Sequence, residues 1–209
     1  MGFGYDCSSS TELTLSREVG GKGEDIMFTS NNTSREEFLH AAEKGGSILN
    51  LDDISLINKV PEMPEMICFR YNPGNKRTGN DIIGKPEESK YGVSDDQIVE
   101  AYKKAMDRGA KRFGIHTMLA SNELDYTYMV QTAEMLLDLI EEISAKLQIT
   151  FDFINIGGGM GIPYQPDQKP LDIMAMGKGI AEHFNSFKER NNYTPALFME
   201  SGRYMTGPH

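Results

Sequence analysis

The stretch INIGGGMGIPY, residues 154–164, places three consecutive glycines directly after an apolar run with the composition of a β-strand. A fourth glycine, Gly161, follows after one intervening residue. Because glycine has no Cβ, such a run permits a tight turn, a bulge or the close approach of backbone N–H groups to a phosphate. The spacing differs from the dinucleotide-binding fingerprint, and no Lys-Ser/Thr pair follows as in a P-loop. The rest of the chain has to distinguish these possibilities.

Strand-like segments recur along the chain and alternate with helix-like ones. There are seven of them, at 4–9, 26–30, 47–52, 66–72, 112–118, 151–156 and 196–201. Most are continuous apolar runs, which is typical of parallel strands covered on both faces. The pattern predicts a parallel α/β protein. A doubly wound open sheet and an eight-stranded barrel both fit, with the strand count one short of a barrel.

Helix signals separate these strands. Ser34 with Glu37, and Ser94 with Gln97, each have the spacing of a capping box at the start of a helix. The segment 126–147 predicts a long helix with one apolar stripe, which we expect to face the core. The stripe consists of Met129, Ala133, Leu136, Leu137, Ile140, Ile143 and Leu147. The longest predicted loop, 73–92, is rich in Gly, Pro and charge, and long loops of this kind often carry function.

Composition limits the class of protein. The 209 residues carry 21 Lys and Arg against 31 Asp and Glu, so a nucleic-acid or anionic-membrane partner is not expected. No apolar run approaches the length of a membrane span, and no signal peptide is apparent. The two cysteines, Cys7 and Cys68, do not make a disulfide framework, which favours a reducing, cytoplasmic location. No linker is visible, so the sequence predicts one domain over 1–209.

Polar residues and glycines cluster where the predicted strands end, and that is where parallel α/β folds bind ligands. In chain order they are Asp6, Cys7 and Ser8, then His116, Met118 and Ser121, then Gly157–Gly159, and finally Glu200–Arg203. Gly, Ser and Arg beside Glu predict an anion cradle next to a carboxylate. Taken singly, Glu200 would more often be a solvated or ion-paired carboxylate, and His116 a core histidine. No Cys/His cluster has metal-ligand spacing, so no metal is expected.

The order of these motifs resembles the pyridoxal-phosphate (PLP) decarboxylases with an alanine-racemase-like barrel, and within them most closely the diaminopimelate decarboxylases. The resemblance rests on GFGYDCSSSTEL (2–13), NNTSREEFLHAAEKG (31–45), LNLDD (49–53), RYNPG (70–74), ESKYG (88–92), GIHTMLAS (114–121), INIGGGMG (154–161) and MESGRYMTGP (199–208). It covers essentially the whole chain. Several motifs in the right order are far more specific than any one of them.

The resemblance implies roles for individual residues. The backbone of Gly157, Gly158 and Gly159 would hold the PLP phosphate, and Glu200 would hold the proton on the pyridine nitrogen. Further cofactor contacts are implied for Asp6 near the Schiff-base lysine, for Ser121, Ser201 and Gly202 in the phosphate cradle, and for Arg203 at the phosphate, the substrate carboxylate or both.

The chain departs from the family pattern at several places. The resemblance implies strands two to eight of a (β/α)8 TIM-type barrel, without the first strand, its Schiff-base lysine or the C-terminal β domain. Met118 stands where the family has its ring-stacking histidine, so either His116 or Met118 could lie against the ring. Ser201 replaces the usual proline. We expect the 209 residues alone to be inactive, and the open sheet edges to favour aggregation or dimerisation.

The expected function is decarboxylation of meso-diaminopimelate to L-lysine, a step of lysine biosynthesis, in a parent enzyme that is a homodimer. A relative acting on another amino acid, such as ornithine, arginine or carboxynorspermidine, remains an alternative. So does a non-catalytic PLP-binding paralogue. An unrelated sugar-phosphate barrel is a third possibility.

Overall fold

The computed structural model describes residues 3–77, 85–86 and 91–207. Contacts divide the chain into two compact units, residues 1–72 with 90–114 and residues 73–89 with 115–209. Residues 78–84 and 87–90 of the predicted functional loop at 73–92 lie outside the described residues, and the described part of the loop contains a 3-10 turn at Gly74–Lys76. A single domain over 1–209 stays a prediction.

The first unit is built on a series of neighbouring strands. They are β1 (Tyr5–Cys7), β2 (Gly23–Phe28), β3 (Ser47–Leu51), β4 (Met66–Asn72), the short β5 (Val93–Ser94) and β6 (Arg112–His116), of which the first three residues belong to this unit. The order is β1-β2-β3-β4-β6, with β5 paired to β4 off this path. The pairs β1-β2, β2-β3, β3-β4 and β4-β5 are parallel.

The second unit continues the order with β7 (Phe153–Gly158) and β8 (Ala196–Glu200) beside the last residues of β6. Strands β7 and β8 are parallel, and Phe153 pairs with Ala196. The rings of Phe153 and Phe198 stack with centroids 4.4 Å apart, which fixes these two strands side by side.

Apart from β5, each strand lies next to its neighbour in the sequence. A doubly wound sheet reverses its strand order at a switch point, and no such reversal occurs in this order. The winding is that of a barrel-type α/β fold, which confirms the fold class expected from the motifs. The seven predicted strands are all present. Strand β5 is an additional one, and its two residues are too few to give a recognisable strand pattern in the sequence.

Six helices accompany the strands in the described residues. They are α1 (Ser10–Glu18), α2 (Arg35–Ala42), α3 (Ile98–Asp107), α4 (Tyr126–Leu147), α5 (Ile173–Asn191) and α6 (Gly202–Thr206). The capping box of Ser34 and Glu37 at α2 is confirmed, with both reciprocal hydrogen bonds present. The box predicted at Ser94 is wrong. Ser94 belongs to β5, and α3 starts after Gln97 without a side-chain cap.

Helix α4 has the bounds expected from its periodicity, because Asp125 caps its first turn and Gln148 ends it in the left-handed conformation. The predicted stripe is buried except Leu147, which is half-buried. No helix in the described part of the chain combines the length and the apolar character needed to span a bilayer.

Arg190 on α5 joins this helix to α4, since its Nη2 lies 2.8 Å from Glu141 Oε2. The hydrogen bond from Arg190 lowers the pKa of Glu141. A carboxylate with a lowered folded pKa stabilises the protein above its unfolded pKa and loses this contribution as the pH falls through the folded pKa.

We therefore expect Arg190→Gln to lower the Tm by at most a few degrees at neutral pH, since exposed ion pairs contribute little. The difference from the wild type should shrink as the pH falls below the ordinary pKa of a glutamate, and vanish below the lowered folded pKa of Glu141. Thermal unfolding followed by circular dichroism across this pH range checks the expectation. A Tm difference that persists at acid pH would assign the effect to packing instead.

Candidate functional site

The carboxyl ends of β6, β7 and β8 bring together most of the residues that the sequence singled out. Glu200 is the last residue of β8, and His116 is the last residue of β6. Between them, β7 runs directly into the glycine stretch and ends at Gly158. In parallel α/β folds this end of the strands is where ligands bind.

Glu200 and His116 form the acidic and basic centre of this region. The Nε2 atom of His116 lies 3.1 Å from Oε1 of Glu200, an ion-pair distance whose geometry is not that of a hydrogen bond. The His116 side chain is 4% exposed and that of Glu200 is 18% exposed. The same Oε1 accepts a hydrogen bond from Nδ2 of Asn155 at 2.9 Å. The carboxylate is therefore held in place while part of it still faces solvent.

The three glycines allow their neighbours to approach very closely. A Cβ added at Gly157 would lie 2.3 Å from the carbonyl oxygen of Thr117, and one at Gly158 would lie 2.4 Å from that of Glu200. A Cβ at Gly159 would meet the carbonyl oxygen of Ala120 at the same 2.4 Å. These distances are far below any van der Waals contact, so the close approach of these three carbonyl oxygens requires glycine at each position.

Two of the glycines also adopt a backbone conformation that favours glycine, with φ of 71° at Gly157 and 101° at Gly159. The Gly157 N–H donates to Oδ1 of Asn155 at 2.9 Å, and the Gly158 N–H donates to Sδ of Met118 at 3.2 Å.

Arg203 lies on α6, one turn beyond Glu200. Its Nη1 donates to the hydroxyl of Tyr164 at 2.8 Å, and its Nη2 donates to Oγ of Ser121 at 3.2 Å. Ser121, Tyr164 and Arg203 all belong to the second unit, and Arg203 is exposed. The guanidinium is oriented by two hydroxyl groups and has access to solvent, as an anion-binding arginine needs.

Ser201 and Gly202 form the turn that leads from β8 into α6. The Ser201 side chain makes no capping hydrogen bond to the helix, although its carbonyl accepts from Met205 N at 3.0 Å. A Cβ at Gly202 would meet nothing within 4 Å. Nothing in the local packing therefore demands glycine at this position, in contrast to Gly157, Gly158 and Gly159.

Asp6 lies on β1 in the first unit, where it is exposed. Its predicted place beside the cofactor stays a prediction. No group of three or more His, Cys, Asp or Glu side chains suited to a metal ion occurs among residues 3–77, 85–86 and 91–207.

The interpretation of Met118 changes in one respect. The sequence predicted a strand over 112–118, which would point His116 and Met118 to the same side. The strand ends at His116, so the alternation rule does not reach Met118. Its thioether sulfur instead accepts the Gly158 N–H.

Sequence reasoning missed two residues of the site, Asn155 and Tyr164. Both lie inside the stretch 154–164. A signal for Asn155 was present, because a polar side chain in a continuous apolar strand is rarely placed there without a partner. For Tyr164 the sequence offered no signal, since its contact with Arg203 joins positions far apart in the chain.

Comparisons with known proteins identify the family of the chain. Residues 1–207 match the family described as pyridoxal-dependent decarboxylase, pyridoxal binding domain. Protein TabA of Pseudomonas amygdali pv. tabaci is 38% identical over 208 residues, covering 100% of this chain and 49% of that protein. Diaminopimelate decarboxylase of Thermoplasma acidophilum is 32% identical over 208 residues, covering 98% of this chain and 50% of that protein.

Among solved structures, diaminopimelate decarboxylase of M. jannaschii in complex with L-lysine superposes with a TM-score of 0.83 at 24% identity. The likeness covers 95% of this chain and 48% of that one, and it concerns the fold. The chain spans about half the length of the curated relatives it matches.

The residues present fit pyridoxal phosphate, which combines a phosphate with a ring nitrogen that can carry a proton. Arg203 and the Ser121 hydroxyl are donors of the kind that bind a phosphate. Glu200 is a carboxylate of the kind that holds a proton on a ring nitrogen. The match over residues 1–207 shows that the chain belongs to the family of pyridoxal-dependent decarboxylases, through their pyridoxal-binding domain.

Proposed function

We propose that the carboxyl ends of β6, β7 and β8 bind pyridoxal phosphate with its ring nitrogen at Glu200 and its phosphate at Arg203. The observation that carries this proposal is that one unit contains both a carboxylate and a guanidinium, each held in place by its neighbours. A carboxylate is fixed by Asn155 beside His116, and a guanidinium is fixed by Ser121 and Tyr164.

The phosphate cradle consists of the Gly159 N–H, the Ser121 hydroxyl and Arg203. Gly157 and Gly158 shape it by letting the strands close up, while Ser201 and Gly202 form its wall at the start of α6. These charged and neutral donors, already oriented by the fold, would replace the water shell of a bound phosphate.

Glu200 keeps a proton on the ring nitrogen, because a carboxylate close to a protonated base stabilises its charged form. When bound, the cofactor supplies an electron sink for the bond that breaks next to the amino group. The role of this chain is to bind and orient the cofactor and to hold the proton on its ring nitrogen. His116 lies against the Glu200 carboxylate and maintains the orientation of that carboxylate. Met118 lies next to the glycines, at the position for which the resemblance implies a ring-stacking histidine.

The reaction proposed for the complete decarboxylase is loss of CO2 from meso-diaminopimelate to give L-lysine, with Arg203 as a further contact for the substrate carboxylate. Support comes from the relative in Thermoplasma acidophilum, which is named diaminopimelate decarboxylase. We propose that this chain is the cofactor-binding part of such an enzyme, and that on its own it does not turn over substrate. Related decarboxylases of ornithine, arginine or carboxynorspermidine are the alternative.

A titration of the 209-residue chain with PLP, followed by visible absorbance, tests this function. We expect saturable binding that pyridoxal without its phosphate does not match, and no release of CO2 from meso-diaminopimelate. Reduction with borohydride and intact mass measurement should show no stoichiometric adduct. Failure to bind PLP would overturn the proposed site, and turnover by the chain alone would overturn the proposed inactivity.

Removing the guanidinium is expected to weaken PLP binding. Arg203→Met should raise the Kd for PLP by up to about tenfold, because a charge-assisted hydrogen bond is lost at an exposed position. Arg190→Met makes the same exchange on α5, where the guanidinium contacts Glu141, and should leave the Kd unchanged. Both constants come from the same absorbance titration. Equal affinities of the two variants would exclude Arg203 from the cradle.

We also propose that the complete decarboxylase is a cytoplasmic homodimer. Cys7 and Cys68 are both buried, and burial raises the pKa of the Cys7 thiol, so neither is poised to form a disulfide. Sedimentation velocity on the complete enzyme distinguishes a dimer from a monomer.

A further inference from the structure

We infer that Asn155 is a positioning residue that links the Glu200 carboxylate to the glycine stretch. The inference rests on the proposed function and adds to it a residue for which the sequence assigned no role. Asn155 is the third residue of β7, between apolar neighbours, and is 2% exposed. A buried amide at such a place is stable only when both of its ends are paired.

Both ends of the amide form hydrogen bonds, one to the carboxylate and the other to the glycine stretch of the proposed site. Nδ2 donates to Oε1 of Glu200 at 2.9 Å, and Oδ1 accepts from the Gly157 N–H at 2.9 Å. The reverse orientation would set the amide oxygen against a carboxylate and the amide NH2 against an N–H, so the two neighbours define which end is which.

Only an amide meets both requirements at this size. A carboxylate could accept from Gly157 but has no proton to offer Glu200, and a leucine offers neither a donor nor an acceptor. The main chain of Asn155 is fixed as well, because its carbonyl accepts from Thr117 N at 3.0 Å. One rigid residue therefore sets the place of the group that holds the ring nitrogen and the backbone that shapes the phosphate cradle.

The nearly isosteric variant Asn155→Asp tests the link through pH. It sets a second carboxylate beside Glu200, and two carboxylates that share a site raise the pKa of one of them. At low pH the pair shares a proton, and binding of PLP should resemble that of the wild type. The ordinary pKa of these acids is about 4, so the shared proton is lost at a higher pH, as the pH rises through the raised pKa, and repulsion then opens the site. The ratio of variant to wild-type Kd should then increase with pH by about tenfold or more.

Asn191→Asp is the matched control. Asn191 also donates its Nδ2 to a glutamate, Glu141, at 2.8 Å, but it lies at the end of α5. The same exchange there should leave the ratio of PLP affinities independent of pH. Using ratios to the wild type removes the cofactor's own titration, which all variants share.

A second variant separates positioning from packing. Adding Glu200→Gln to Asn155→Asp removes the like-charge pair, so the double variant should lose the pH dependence that the single Asp variant shows. A packing defect at Asn155 would not respond to a change at Glu200. A flat ratio for Asn155→Asp, or a pH dependence that the double variant retains, would overturn the inference.

The thermal unfolding of the same proteins without PLP decides the inference even if the chain does not bind the cofactor. The folded pKa of the new carboxylate pair is raised, so stability is lost as the pH rises above the unfolded pKa. Asn155→Asp should therefore show a Tm deficit that grows with pH and that Glu200→Gln relieves. Absence of PLP binding by the wild type would overturn the proposed function only, whereas a constant Tm deficit would overturn the role of Asn155.

Discussion

Glu200→Gln is expected to raise the Kd for PLP by about tenfold to a hundredfold, because it removes the charged partner of the ring nitrogen. The amide keeps the shape of the side chain and still offers an acceptor to Asn155 Nδ2, so the fold should be retained. In the complete decarboxylase the same change should lower kcat by about a hundredfold to a thousandfold, the loss that follows when a stabilising group at the reacting centre is neutralised.

Absorbance titration of the chain and a CO2-release assay of the complete enzyme give the two quantities. Glu189→Gln provides the control, since Glu189 is an exposed residue of α5. Its affinity and kcat should equal those of the wild type. Retention of wild-type kcat by Glu200→Gln would exclude the role proposed for its charge.

Gly157→Ala is expected to destabilise the protein by about 2–5 kcal/mol, because it adds left-handed strain to an overpacked strand contact. The new Cβ would lie 2.3 Å from the carbonyl oxygen of Thr117 and 3.1 Å from Sδ of Met118, at a φ of 71°. The first neighbour is backbone, which cannot move aside as a flexible side chain can. For a chain of this length the loss corresponds to a fall in Tm of about 5–15 °C.

Gly177→Ala makes the same exchange on α5, where an added Cβ meets nothing within 4 Å. It should stabilise the protein by about 0.5–1 kcal/mol, since alanine favours the helix interior. Urea unfolding of the two variants should give changes in the free energy of unfolding of opposite sign. A Gly157→Ala protein as stable as the wild type would mean that the neighbouring backbone can move away from Gly157 without loss of stability.

The sequence predicted the fold well where the signal was local and repeated. The apolar runs gave every long strand, and the periodicity of 126–147 gave α4 with its bounds. It failed at Ser94 because the spacing of a capping box also occurs by chance in a turn, where Ser94 contacts Asp96 and Gln97 without starting a helix.

The site was predictable in part for a similar reason. His116, Ser121, Glu200 and Arg203 could be found because each lies at the end of a strand or shortly after it, and the topology brings strand ends together. The pairing of Arg203 with Tyr164, and of Gly158 with Met118, could not be found, because these contacts depend on the path of irregular segments. The glycines were expected for phosphate binding, whereas their closest neighbours are carbonyl oxygens of adjacent chain segments.

The sequential order of the strands has a consequence for how the chain acquires its structure. Tyr5 pairs with Ile26 and Leu49 with Ile67, so the first sheet contacts close loops of roughly twenty residues, and loop closure of this length costs little entropy. Phe153 and Ala196 are separated by roughly twice that distance, with α5 in between. Low contact order of this kind favours rapid, stepwise folding from the N-terminus during synthesis. The glycine stretch and Glu200 are then joined after the earlier strands have paired, when β8 leaves the ribosome and docks on β7.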